Sequence, residues 1–210
     1  MLDLYAFSTP NSARIPIALE EMGLAYRLHS INVRKGEQKS PEHLARNPNG
    51  KVPVLVDSEG PEGAPFTLTE SGAILLYLAE KTGKLIPADA FGRARVIEQM
   101  LFHLTGIGPA LGQLGNFRRA EEQLPAAISR FEAETARTLA VLDGILGQRK
   151  FVTGDDYTIA DITHFGWLWR REFAMVSLDP YDNIRRWYEA VEARPAVQRG
   201  IKAVTALVPV

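Results

Sequence analysis

The feature that most constrains this chain is a change of hydrophobic period near residue 82. Upstream, short runs of strand formers alternate with helix-like spacing, and downstream only the helical spacing persists. Residues 2–7 read as a strand. Residues 14–22 carry Ile15, Ile17, Ala18 and Met22 at helical spacing, and Gly23 ends them. Residues 26–33 alternate again, and 41–45 leave room for about one or two helical turns. Residues 52–56 and 66–68 are strands joined by a turn-rich link. Residues 71–81 place Ile74, Leu75 and Leu78 on one helical side. The order is βαβαββα. Helices between strands predict parallel pairing, and the short last link predicts a hairpin.

Residues 82–91 contain Gly83, Pro87 and Asp89 and read as a linker. Beyond it, 92–104, 126–146, 159–173 and 181–192 show helical periodicity. In 126–146, Ile128, Phe131, Thr135, Leu139 and Leu142 mark one buried face. The expected organisation is an α/β domain over 1–81, the linker, and an all-α bundle over 92–210.

Charge and cysteine content narrow the chemistry. A net charge of −1 gives no bulk pull on nucleic acid or an anionic membrane. No apolar run approaches the roughly 20 residues that span a bilayer. Asp3 interrupts the first apolar stretch and no basic segment precedes it, unlike a signal peptide, so the expected location is cytoplasmic. The chain has 0 cysteines. That excludes a disulfide framework, a Cys-ligated metal and a protein thiol nucleophile, so any thiol must come from a bound small molecule. His29, His43, His103 and His164 lack ligand spacing, and no metal is expected.

Three segments can carry chemistry. Thr9-Pro10-Asn11-Ser12 joins a strand to a helix, where unpaired N–H groups and the helix dipole favour an anion such as a thiolate. Taken alone, it reads first as an ordinary turn in which Asn11 or Ser12 caps the helix. Asn49-Gly50-Lys51-Val52-Pro53 opens an apolar strand on a proline. A cis Val52–Pro53 bond would present the Val52 backbone to an extended peptide ligand, and a plain edge strand is the alternative. Glu70-Ser71 at a helix start suits a ligand bearing both ammonium and carboxylate, or a simple cap.

Together, Thr9-Pro10-Asn11, Asn47-Pro48-Asn49-Gly50-Lys51-Val52-Pro53 and Glu70-Ser71-Gly72-Ala73-Ile74 resemble the glutathione transferases, and within them the bacterial Nu class and the Ure2-like proteins. The resemblance covers nearly the whole chain. It implies a thioredoxin-like N-terminal domain and a helical C-terminal domain. Val52 and Pro53 would meet the cysteinyl part of glutathione, Glu70 and Ser71 the γ-glutamyl end, and Gln38 and Lys51 the glycyl carboxylate. Thr9 and Asn11 would face the sulfur, with Tyr5 and Ser8 as lesser alternatives. It implies an enzyme reducing small disulfides with two glutathione molecules, or glutathione disulfide, in the cleft, with weaker conjugation to electrophiles. A non-catalytic binding module of the same fold is the alternative. A homodimer is expected, with Arg130 reaching the neighbour's ligand.

Other motifs read as structure. Tyr157-Thr158-Ile159-Ala160-Asp161-Ile162 has a capping box, with Tyr157 placed to staple against Ile162. Gly106-x-Gly108-Pro109 follows a helical pattern and fails the dinucleotide test, so it predicts a kinked helix. Trp167 and Trp169 read as helix packing, and Arg118, Arg119, Arg185 and Arg186 as solvated charges.

Overall fold

Leu2, Leu4 and Ala6 alternate with Asp3 and Tyr5 along β1 (Leu2–Ala6), and the apolar set is buried. That period of two gives the strand one core face. β1 pairs in parallel with β2 (Tyr26–Ser30) and antiparallel with β3 (Val54–Asp57). β3 forms the expected hairpin with β4 (Phe66–Thr69), and the sheet order is β2-β1-β3-β4. The sheet is therefore mixed. Parallel pairing holds across α1 (Pro10–Met22) but fails after α2 (Pro41–Arg46). A six-residue helix is too short for a full crossover, and the chain returns in the opposite direction. α3 (Ser71–Thr82) packs on α1. The structure is a computed structural model, and it describes residues 1–208.

Contacts divide the chain into two units. One is Met1–Lys84 together with the segment from Arg194 onward, and the other is Leu85–Ala193. The boundary thus falls inside the expected linker, but the terminal helix α9 (Pro195–Thr205) groups with the first unit rather than with the helical segment. α9 lies against α1. A Cβ on Gly200 would stand 2.6 Å from the backbone nitrogen of Ile17, so only glycine allows this approach. Arg194 pairs with Glu21 at 2.6 Å, and Arg199 with Glu20.

The second unit contains α4 (Ala90–Phe102), α5 (Gly108–Arg119), α6 (Pro125–Leu146), α7 (Ile159–Trp169) and α8 (Asp182–Glu192). The expected kink before Pro109 is a π turn over His103–Ile107 that joins α4 to α5. Gly108 and Gly112 leave room for the Trp167 indole, each approaching it within 3.2 Å of where a Cβ would stand. The capping box is formed: Thr158 caps α7, and Asp161 accepts from the Thr158 N–H at 2.9 Å. Tyr157 stacks edge-on against Phe151. Three arginines expected to be solvated bind backbone carbonyls, Arg119 through the Phe173 oxygen. Arg118 binds the Ala174 and Met175 oxygens, and Arg186 those of Leu146 and Arg149, groups that a helix or turn end leaves open.

Candidate functional site

Strand register brings the three sequence motifs to one end of the sheet. Tyr5 stands opposite Val54, and Val54 opposite Thr69. Neighbouring strands are about 4.8 Å apart. The chain leaving β1 toward Thr9, the chain entering β3 through Val52 and Pro53, and the chain leaving β4 into Glu70 therefore emerge side by side.

At the first of these, Thr9 caps α1. Its Oγ1 accepts from the Ser12 N–H at 3.2 Å and donates to Ser12 Oγ, while its own N–H goes to the Phe7 carbonyl at 2.7 Å. Thr9 was expected to offer donors to an anion, but they are committed within the turn. Pro10 has no N–H to give. Asn11 is left with both its backbone N–H and its carboxamide unclaimed among the described residues. The first turn of α1 holds no acid. An anion placed here meets two donors and the positive end of the helix. Tyr5 does not compete for this position. Its ring is stacked on His29 with centroids 4.6 Å apart and covered by the Arg46 guanidinium at 4.2 Å. Asp3, which binds Arg27 and His29 beside it, is held below the usual carboxylate range by those two hydrogen bonds.

The second segment contains the Val52–Pro53 peptide, which is cis as expected. Val52 is half-buried and takes no backbone hydrogen bond among the described residues, so its N–H and C=O are open to an added strand. Lys51 is exposed. Gln38 lies in a 3₁₀ turn (Glu37–Lys39) beside Gly50, and its Oε1 is occluded without a partner.

At the third segment, Glu70 precedes α3 at φ 65°, a region non-glycine residues avoid, and its carboxylate is exposed and caps nothing. Such strain is retained where surrounding structure requires it, often at ligand sites. Ser71, 6 % exposed, accepts from Arg14 Nη1 at 2.9 Å. That leaves the Ser71 hydroxyl hydrogen to donate to a carboxylate. Arg14 is the residue that local sequence reasoning missed here. It lies on α1 but reaches α3, 57 residues away. Burial pushes its guanidinium down to about 9, and it still carries a positive charge at neutral pH behind the Ser71 hydroxyl. Arg130, by contrast, is exposed on α6 in the second unit.

Known proteins share this fold. The family model described as the glutathione S-transferase N-terminal domain matches residues 1–80, and the one for the C-terminal domain matches 125–190. The chain is 40% identical over 205 residues to the disulfide-bond oxidoreductase YfcG of Escherichia coli, covering 96% of this chain and 94% of that one. A glutathione transferase from Burkholderia graminis, solved with two glutathione molecules per subunit, superposes with a TM-score of 0.91 at 41% identity, covering 96% of this chain and 88% of that one. One from Pseudomonas putida, solved with one glutathione disulfide per subunit, gives 0.90 at 37%, covering 96% and 90%.

Proposed function

Since the chain belongs to the glutathione S-transferase family, we propose that it is a glutathione-dependent disulfide-bond oxidoreductase of the Nu class, with weaker conjugating activity toward electrophiles. The observation that carries this reading is the open start of α1, where Asn11 keeps two donors for an anion in a chain without cysteine. The thiolate must then belong to glutathione. One glutathione thiolate attacks a sulfur of the small disulfide, and the first product thiolate leaves. A second glutathione thiolate attacks the resulting mixed disulfide at the glutathione sulfur, releasing the other product thiolate and forming glutathione disulfide. The two protons lost by glutathione to solvent are regained by the two product thiolates. The two-glutathione and glutathione-disulfide complexes of similar proteins support this stoichiometry.

In this reading Asn11 donates to the attacking sulfur and Thr9 orients the turn. Val52 pairs its backbone with the cysteinyl unit, entered over Pro53. Glu70 takes the γ-glutamyl ammonium and Ser71 its carboxylate, while Gln38 and Lys51 meet the glycyl end. The protein works in the cytoplasm as a symmetric homodimer, in which Arg130 reaches the partner's ligand. The test is steady-state reduction of a small aliphatic disulfide by glutathione, with product glutathione disulfide quantified. One glutathione disulfide per disulfide consumed is expected. Glutathione binding without turnover would make the chain a binding module instead.

A further inference from the structure

The carbonyl of Lys51 and the N–H of Val52 belong to one peptide group. That carbonyl is gripped from two sides: His43 Nε2 lies 3.0 Å from it and Asn47 Nδ2 2.8 Å. Both side chains are buried, His43 to 1 % and Asn47 to 4 % exposure. A carbonyl can only accept, so His43 carries its proton on Nε2. Its Nδ1 is buried with no partner, which a bare lone pair tolerates better than an orphaned donor would. Asn47 also accepts from the Asn49 N–H at 3.1 Å, and its carbonyl accepts from Gly50. In a planar trans peptide the C=O and N–H point in opposite directions. Two donors holding the Lys51 oxygen therefore aim the Val52 N–H outward, and they polarise that amide into a stronger donor.

We propose that His43 is a positioning residue for ligand binding: through the Lys51 carbonyl it orients the Val52 N–H toward the backbone of a cysteinyl ligand. This rests on the glutathione reading above. Asn47 shares the task from the other side of the same oxygen.

His43→Phe keeps the ring volume and loses the donor, while His43→Gln can return a donor near the Nε2 position. In disulfide reduction by the full-length protein, His43→Phe should raise the KM for glutathione about three- to tenfold, as expected for one lost hydrogen bond, with a smaller change in kcat. His43→Gln should recover most of that loss. If His43→Phe does not fold, Asn47→Asp serves in its place: it keeps the acceptor toward Asn49 but turns an oxygen toward the Lys51 carbonyl, and it should raise KM in the same way. Amide exchange at Val52 in ligand-free protein should slow in the folded variant, because an unbonded N–H exchanges faster the more its peptide group is polarised. An unchanged KM, or a His43→Gln variant as impaired as His43→Phe, overturns the proposal. If wild-type protein shows no saturable dependence on glutathione while Val52 exchange responds as stated, the functional reading has failed and the aiming of this amide has not.

Discussion

α7 and α1 both begin on a threonine in extended backbone, Thr158 at φ −133° and Thr9 at φ −124°. At α7 the third helical residue is Asp161. It accepts from the Thr158 N–H, the Val152 N–H and the Trp187 indole, and the Thr158 oxygen takes the Ala160 N–H. Every nearby donor is answered by the protein, and Asp161 is fully buried. At α1 the residues in the same positions are Pro10, Asn11 and Ser12. The threonine oxygen serves Ser12, no carboxylate stands in the first turn, and Asn11 is left open. One substitution pattern, acid against serine at the third position, separates a helix start that fastens a fold from one that offers an anion site.

The largest effect should come from breaking the closed start. Asp161→Ala leaves three buried donors unanswered and should cost about 3 kcal/mol or more in urea unfolding. A loss under about 1 kcal/mol would mean the box is not what fastens α7. Breaking the open start should act on rate instead. Asn11→Ala should lower disulfide-reducing turnover about 10²-fold, the range for one preorganised anion donor, with stability nearly unchanged. At the neighbouring start of α3, Glu70→Gly should weaken glutathione binding by about 1.5–3 kcal/mol in calorimetry. It should also hold or raise stability by about 1 kcal/mol, since glycine accepts the left-handed φ that glutamate does not. Equal losses in binding and stability would make Glu70 structural. Thr9→Ala should cost about 1 kcal/mol of stability as a lost cap, and less turnover than Asn11→Ala.

Two buried acids sharpen the contrast through pH. Burial drives the Asp161 carboxyl up despite its hydrogen bonds. Asp57 is also driven up by burial, but bonds from Lys81 and Tyr77 outweigh this and hold it below the ordinary value of 3.8. A depressed folded value contributes stability above the unfolded value, and that contribution is lost as pH falls through the folded one. Asp57→Asn should therefore flatten the loss of stability below about pH 4. Asp161 acts with the opposite sign: its native form takes up a proton first, so its contribution improves as pH falls. An unaltered acid limb in Asp57→Asn would remove Asp57 from the account.

Local pattern made much of this legible. The order of elements up to α3, the capping box and the cis proline all rest on neighbours within a few residues, as do the three segments proposed to meet the ligand. What was not legible depends on distant partners. Nothing near Arg14 announces Ser71, and nothing near His43 announces the Lys51 carbonyl, because both contacts exist only once the sheet has set its register. The grouping of α9 with α1 was hidden because Gly200 takes its meaning from Ile17, a distant partner. α5 was obscured by glycines that make room for Trp167. The strand β3 was expected, but its direction against β1 was misread because α2 is too short for a crossover.

The role proposed for Asn11 at the open start of α1 is to stabilise a glutathione thiolate. It is tested most directly by titrating the thiolate absorbance of protein-bound glutathione against pH, in wild type and in Asn11→Ala. A free thiol titrates near 8.5, and a helix terminus alone shifts it by about one unit. Bound to wild-type protein, the thiol should titrate about one to two units below its free value, and Asn11→Ala should move it back by about one unit. The same low value in both proteins would show that Asn11 does not stabilise the thiolate.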